Sequence, residues 1–165
     1  MITKVSVAIE RELRHCDAFY ISVAFITEGG LAPLKQVLAE LRDKGIPGKI
    51  LTTSYLTFTE PKALKTLADL SNVEVRVYDS TDEGASGFHT KGYIFKEEEI
   101  YRFIVGSSNM TASAFSVNKE WNTKLVSTSD GELLKQMMTE FNALWNSKHT
   151  LAVKDFIEDY EVRYR

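Results

Sequence analysis

The sequence is poor in several residue types that would point to particular protein classes. Its 165 residues include one cysteine, three prolines and three histidines. The single cysteine, Cys16, excludes a disulfide within the chain and is compatible with a reducing compartment. His15, His89 and His149 lie far apart in the sequence, so they form no zinc-binding spacing. We therefore predict neither a bound metal nor another cofactor.

Long hydrophobic runs are also missing. No apolar run reaches about 18 residues, the length that a membrane-spanning helix needs. The first residues lack the apolar core of a secretory signal. A net charge of −3 argues against a protein coated in positive charge for indiscriminate DNA binding, but it allows a local basic cleft. These features predict a cytoplasmic protein that does not act on a membrane.

The composition is that of an ordinary globular domain, 44% hydrophobic and 26% charged. Strand-like and helix-like segments alternate as far as residue 78, which is typical of a largely parallel α/β sheet. The later strand-like segments lie too close together for a helical crossover at every step, so part of the sheet is expected to be antiparallel. We predict an α/β/α sandwich around a mixed, largely parallel central sheet.

Residue spacing and turn residues predict the individual elements. Gly29 and Gly30 are expected to form a turn, and Ser129–Glu132 fits a capping box at the start of a helix. We predict one domain over residues 1–148, followed by a helical segment over 149–165 that could link to a further domain. Strands are predicted over 17–26, 49–53, 73–78, 89–95, 100–105 and 121–127, and helices over 3–15, 31–41, 61–70, 132–145 and 153–160.

The most informative stretch is the strand-like segment Phe88–Phe95, in which His89 and Lys91 are two residues apart. Side chains two residues apart on a strand share a face, so an imidazole and an ammonium group would lie side by side. Lys91 can bind phosphate oxygens, and His89 can act as nucleophile or proton donor near neutral pH. The next apolar strand ends in Gly106–Asn109, a Gly-Ser-Ser-Asn turn whose polar groups suit the same anion.

The order H-x-K followed by G-S-x-N resembles the phospholipase D superfamily. In that family an acidic residue follows the Asn, and Glu120 lies eleven residues beyond Asn109. The resemblance implies that Glu120 orients His89. It also implies phosphate contacts by four residues, which are His89, Lys91, Ser107 and Asn109.

One position departs from the family pattern H-x-K-x4-D, because Lys96 occupies the place of the Asp. In the family this Asp is mainly a supporting residue, while the His and the Lys touch the phosphate. The departure leaves room for a site that binds phosphate without cleaving a bond. Lys96 and the three glutamates that follow it are predicted to form a solvated hairpin turn.

A second resemblance narrows the family. The segments Ile50–Leu64 and Asn118–Asn122 are similar to those of phospholipase-D-like domains that are fused to DNA helicases or found in restriction endonucleases. This resemblance implies DNA as a partner and a helicase or specificity domain C-terminal to this chain. Tyr55 and Thr59, in the loop after the second strand, are predicted to line a substrate groove.

A complete active site in this superfamily has two His-Lys sets, whereas this chain has one. The resemblance therefore implies a homodimer with both His89 side chains about one phosphate. One His89 would form a phosphohistidine while the other protonates the leaving oxygen. The predicted function is metal-independent cleavage of DNA in restriction or repair. A non-catalytic phosphate-binding dimerisation module and a hydrolase of phospholipids or small phosphodiesters stay open as alternatives.

Overall fold

The computed structural model describes residues 5–54, 59–79, 92–106 and 122–164. Its helices are α1 (Val5–His15), α2 (Glu28–Leu31), α3 (Lys35–Lys44), α4 (Pro61–Ala68), α5 (Glu132–Trp145) and α6 (Val153–Tyr164), with a 3-10 turn at Ala32–Leu34. Its strands are β1 (Ala18–Ser22), β2 (Gly48–Thr53), β3 (Val73–Tyr78), β4 (Gly92–Glu97), β5 (Ile100–Gly106), β6 (Asn122–Thr128) and β7 (Thr150–Ala152).

The described strands form one seven-stranded sheet in the order β6-β5-β4-β1-β2-β3-β7. β1 pairs in parallel with β2, and β2 with β3, because helical connections return the chain to the same end of the sheet. The other four described pairs are antiparallel. The α/β class and the mixed sheet are confirmed, but the expectation that most of the sheet is parallel is wrong. Short connections such as the turn between β4 and β5 leave no length for a crossover.

Helices cover both faces of the sheet, which confirms the predicted sandwich. α1, α3, α4 and α6 pack on one face, where their apolar side chains and those of β1 to β4 form the main core. α5 covers the opposite face. There Trp145 packs with Leu51 of β2. Leu134, near the start of α5, packs with Phe103 of β5.

The central strand β1 shows why its sequence is apolar at successive positions. Phe19 and Ile21 belong to the main core, while Tyr20 packs edge-on against Phe141 of α5 at 5.9 Å between ring centroids. Neighbouring residues of a strand point to opposite faces, so a strand covered on both sides needs apolar residues on both. The strand predicted over 17–26 is confirmed, although it ends at Ser22 rather than at residue 26.

Two local predictions are wrong. Gly29 and Gly30 do not form a turn but lie in α2, where the Thr27 hydroxyl accepts a hydrogen bond from the Gly30 N–H at 3.1 Å. This cap supports a four-residue helix despite the low helix propensity of glycine. The predicted capping box fails because α5 begins at Glu132, so its N-cap is Gly131, which has no side chain to donate or accept.

Most other elements agree with their predictions. α3 ends at Lys44 and is capped by Gly45, whose φ of 70° lies in the left-handed region that favours glycine. α4 begins with Pro61, and β3 has the predicted bounds. Cys16 is buried, as expected for a small hydrophobic residue, and burial raises the pKa of its thiol to about 12.

The C-terminal elements pack into the same core. β7 is the edge strand beside β3, and α6 buries Val153, Phe156 and Tyr160 against the main core. The boundary at residue 148 and the further domain remain predictions.

A close approach between two strands gives a test of the packing. Gly48 of β2 is in register with Phe19 of β1, and a Cβ atom at position 48 would overlap the fully buried Phe19 ring. We expect Gly48→Ala to lower the free energy of unfolding by about 1–3 kcal/mol, because a packed core does not absorb an added methyl group. Urea unfolding measures the change.

Gly131→Ala is a matched control. A Cβ atom at this position would meet the hydroxyl of Ser127, which can rotate away. We expect a smaller loss of stability than for Gly48→Ala. An unchanged urea midpoint for Gly48→Ala would contradict the packing of β1 against β2.

Candidate functional site

The predicted site residues adjoin one end of the strands, the end at which β1, β2, β3 and β5 finish and β4 and β6 begin. This end of the sheet is here called the site edge. Gly92, the first residue of β4, pairs with Ser22 at the end of β1 and with Val105 near the end of β5. Gly106, the last residue of β5, pairs with Asn122, the first residue of β6. β2 and β3 also end at this edge because they run parallel to β1.

The described chain reaches the site edge directly beside the predicted motifs. Lys91 is bonded to Gly92, Ser107 is bonded to Gly106, and Glu120 is two residues from Asn122. The two motifs and the acidic residue are therefore joined to three adjacent strands, β4, β5 and β6, at one edge. The predicted site residues that themselves lie outside the described ranges are His89, Lys91, Ser107, Asn109, Glu120 and Tyr55.

Lys96 lies towards the opposite end of β4. It is four residues from Gly92, about 13 Å along an extended strand, and it pairs with Ala18 and Tyr101. The departure from the family pattern therefore falls on the hairpin between β4 and β5 and not on the site edge.

The predicted hairpin turn is present but shorter than expected, because Lys96 and Glu97 belong to β4 and are half-buried. Glu98 and Glu99 form its exposed turn, and Glu98 has a positive φ of 54°. The Glu98 N–H donates to the Asp17 carboxylate at 2.7 Å, and the Asp17 N–H donates to the Lys96 carbonyl at 2.6 Å. Asp17, the residue before β1, thus holds this turn in place.

Tyr93 packs inside the protein. Its side chain is 1% exposed and lies with Phe95 in the main core. Burial raises the pKa of its hydroxyl well above the ordinary value for tyrosine.

Thr59 is the one predicted site residue that the structure describes, and it is fully buried. Its hydroxyl accepts from the Ile26 N–H at 3.3 Å and donates to the Thr53 carbonyl at 3.2 Å. These bonds link the segment after β1 to the end of β2. The predicted contact of Thr59 with substrate remains a prediction.

A polar cluster at the site edge was missed from the sequence. In the Asp79 cluster, defined by Ser54, Asp79 and Arg163, the Asp79 carboxylate accepts from the Ser54 hydroxyl at 3.0 Å. Both terminal nitrogens of Arg163 donate to the same carboxylate, at 3.2 and 3.3 Å. An Asp directly after a strand was an available signal. Arg163 gave none, because it lies 84 residues further along the chain.

The other two histidines occupy different places. His15 is exposed at the end of α1. His149 is 8% exposed, its ring lies edge-on to Tyr78 with centroids 5.9 Å apart, and its carbonyl accepts from the Asp79 N–H.

Within the ranges that the structure covers, no three His, Cys, Asp or Glu side chains cluster closely enough to hold a metal ion. Among the described helices, none combines the length and the apolar character needed to cross a bilayer.

Comparison with protein families matches residues 14–145 to the model described as "Cardiolipin synthase, PLD-like domain". This match covers most of the chain and includes both predicted motifs and Glu120. No curated protein sequence matches the chain.

Solved structures share the fold at low sequence identity. Phosphatidylserine synthase of Haemophilus influenzae matches with a TM-score of 0.61 and 15% identity, over 94% of this chain and 40% of that one. Polyphosphate kinase of Porphyromonas gingivalis matches with a TM-score of 0.63 and 10% identity, over 90% and 22%. The archaeal chromatin protein TrmBL2 matches with a TM-score of 0.50 and 17% identity, over 87% and 50%. The chain thus spans half or less of each of these proteins, and the likeness shows the fold alone.

Proposed function

The chain belongs to the PLD-like domain family of the phospholipase D superfamily, and we propose that it is a phosphodiesterase that cleaves DNA without a metal ion. Family membership assigns it to phosphoryl-transfer or phosphate-binding chemistry. The observation that carries the finer proposal is the site edge, where three adjacent strands adjoin the H-x-K motif, the G-S-x-N motif and Glu120. A single phosphate can then be reached from all three strands.

The proposed reaction has two steps, formation of a phosphohistidine and its hydrolysis. An imidazole nitrogen of one His89 attacks phosphorus, and the bond from phosphorus to the leaving oxygen breaks. A second, protonated His89 gives its proton to that oxygen. Water then attacks the phosphohistidine phosphorus, and the bond from phosphorus to the first His89 nitrogen breaks, which releases the phosphate-ended product and the free imidazole. The second imidazole takes a proton from the attacking water. Glu120 orients His89, as a carboxylate orients the histidine of hydrolase triads.

Charge builds up on the oxygens of the transferring phosphoryl group in the transition state. Lys91, Ser107 and Asn109 are proposed to bind these oxygens, because fixed donors at a developing charge lower the barrier.

The second His89 comes from a second copy of the chain, because this sequence holds one H-x-K motif. A two-fold axis must then pass beside the site edge near β4 and β5, so that the two motifs meet. Antiparallel pairing along the full length of two β6 strands does not achieve this. It would place the two site edges at opposite ends of a strand, about 20 Å apart for seven residues.

Mixing two forms of the chain tests the shared site. Equal amounts of wild type and His89→Ala are unfolded and refolded together, and their activity is compared with that of wild type at the same total protein concentration. If each site needs two intact copies, the mixture should retain about a quarter of that activity, because a quarter of random dimers hold two wild-type chains. Independent monomers would retain about half. The mixture is assayed at saturating substrate, and its dimer content is checked by sedimentation.

DNA is proposed as the substrate because the segments Ile50–Leu64 and Asn118–Asn122 resemble those of helicase-linked and restriction domains. The same resemblance supports a cytoplasmic restriction or repair system and an attached motor or specificity domain. A lipid or small phosphodiester hydrolase is the competing enzyme class, since the fold alone serves several substrates.

Incubation with plasmid and with phosphatidylcholine vesicles, each in excess EDTA, tests the proposal. The expected result is nicked or linear plasmid, intact lipid, and no plasmid cleavage by His89→Ala. Release of choline with intact plasmid would instead assign the chain to lipid hydrolysis. Loss of plasmid cleavage in EDTA that returns with added Mg²⁺ would contradict metal independence.

The position of Lys96 gives a further test. Lys96→Asp restores the family pattern, yet we expect kcat to change by less than about threefold, because the position lies about 13 Å from the site edge. The thermal midpoint should fall slightly, since a new carboxylate would join Asp17 and Glu98. A rise in kcat of tenfold or more would show that position 96 acts on the site.

The second candidate function is a phosphate-binding dimerisation module that docks DNA for an attached motor. The single H-x-K motif is the observation that favours it, because one His-Lys set can bind a phosphate but does not by itself complete a reaction that needs two histidines. This function predicts that wild type and His89→Gln bind an oligonucleotide equally and that neither cleaves it.

A further inference from the structure

The C-terminal helix α6 reaches the site edge through a fork-shaped ion pair. Two Arg163 nitrogens bind the Asp79 carboxylate at 3.2 and 3.3 Å, and the Asp79 side chain is 10% exposed. The same carboxylate accepts the Ser54 hydroxyl at 3.0 Å. The Asp79 cluster thereby ties together α6 and the residues that follow β2 and β3.

The direction of the Arg163 side chain is itself fixed. Its guanidinium carbon lies 5.0 Å from the Phe156 ring centroid and 5.7 Å from that of Tyr160, both on α6. The faces of aromatic rings orient a planar guanidinium, whereas an ammonium group has no plane that they could orient. The two-point contact with Asp79 therefore has a defined geometry.

A second bond ties α6 to the same edge. The Tyr160 hydroxyl donates to the Thr59 carbonyl at 2.5 Å. Ser54 and Thr59 are the described residues on either side of 55–58, and Asp79 is the described residue before 80–91. α6 is therefore linked, directly or through Asp79, to the residues on either side of 55–58 and to the residue before 80–91. These two stretches contain Tyr55 and His89.

We propose that Arg163 is a positioning residue for the phosphodiesterase site, acting through the Asp79 carboxylate; this rests on the proposed function. An ion pair with partial burial contributes little net stability, because desolvation offsets the attraction. Geometry gives it a larger effect, since a displacement of about 1 Å at a reacting group can cost about 10²-fold in rate. Arg163 therefore acts on kcat more than on folding or on substrate affinity.

Steady-state cleavage of an oligonucleotide in EDTA tests this role. Arg163→Ala is expected to lower kcat about 10- to 100-fold with KM within about twofold, at a temperature where urea titration shows the variant folded. Arg163→Lys keeps the charge but loses the two-point contact with Asp79, so its kcat should lie between those of wild type and Arg163→Ala. Arg42→Ala removes an exposed pair with Asp43 and should leave kcat unchanged. An unchanged kcat in folded Arg163→Ala overturns the proposal.

A second readout separates this proposal from the proposed function. The ring proton resonances of the three histidines are recorded by NMR, and that of His89 is identified by its loss in His89→Gln. The His89 resonance should move in Arg163→Ala and stay in place in Arg42→Ala. If the wild type cleaves no phosphodiester, the proposed function fails, and this resonance decides the positioning role. A His89 resonance unmoved by Arg163→Ala overturns it.

Discussion

His89→Ala is expected to lower kcat for DNA cleavage by at least about 10³-fold, because the loss of a nucleophile removes the covalent route of the reaction. In a homodimer the substitution removes the proton donor as well, since the same residue of the second copy fills that role. Circular dichroism and the urea midpoint should stay close to wild type. Single-turnover cleavage of a labelled oligonucleotide measures the rate.

His15→Ala is the matched control for this substitution. His15 is exposed at the end of α1, which leads into the start of β1, and so lies towards the edge opposite to the site edge. Its removal should leave kcat within about twofold of wild type, as for a surface change away from the site. Equal kcat for His89→Ala and wild type would contradict His89 as the nucleophile, whereas no cleavage by either form would favour the binding module.

Tyr160→Ala is expected to lower the free energy of unfolding by about 3–5 kcal/mol, in the range for loss of a large aromatic side chain from a core. Tyr160 has no exposed surface, and its ring stacks on Phe156 with centroids 5.0 Å apart. Its hydroxyl donates to the Thr59 carbonyl. The change should appear in the urea midpoint with an unaltered slope.

Two further variants separate the contribution of the Tyr160 hydroxyl to stability from that of its buried ring. Tyr160→Phe removes the hydroxyl alone and should cost about 1 kcal/mol, the net worth of one hydrogen bond. Tyr164→Ala, at a side chain 41% exposed on the same helix, should change stability by less than about 0.5 kcal/mol. A cost below about 1 kcal/mol for Tyr160→Ala would mean that α6 does not pack in the main core.

The antiparallel part of the sheet determines what the fold offers for function. In the parallel part, successive strands present the same end to the site edge. In the antiparallel part, β5 ends and β6 begins at that edge, beside the start of β4. Two motifs separated in sequence are thereby brought to neighbouring strands. The hairpin that carries Lys96 turns at the far end.

Much of the fold could be predicted because it depends on local spacing. The bounds of β3 follow from the alternation of Val73, Val75 and Val77 with charged residues. The buried face of α5 follows from apolar residues at helical spacing. The balance of parallel and antiparallel pairs was misjudged, because strand partners are chosen by tertiary packing and connection length.

The residues of the candidate site also differ in whether local sequence or tertiary packing determines their place. The order of the motifs in the sequence suffices to propose His89 and Lys91 as site residues, because their side-chain chemistry and spacing are local properties. The Asp79 cluster could not be selected, because Arg163 meets Asp79 only after α6 has packed on the sheet. Thr59 was selected as a groove residue, yet its hydroxyl is buried among carbonyl groups that no sequence pattern shows.

The most direct test of the account is to trap the covalent intermediate. A single-turnover reaction with an oligonucleotide in EDTA is stopped in base, and the digested protein is analysed by mass spectrometry. The proposed mechanism predicts a phosphate-linked DNA fragment on the peptide that contains His89, and no such adduct in His89→Ala. Rapid cleavage without an adduct, or an adduct on another residue, would contradict it.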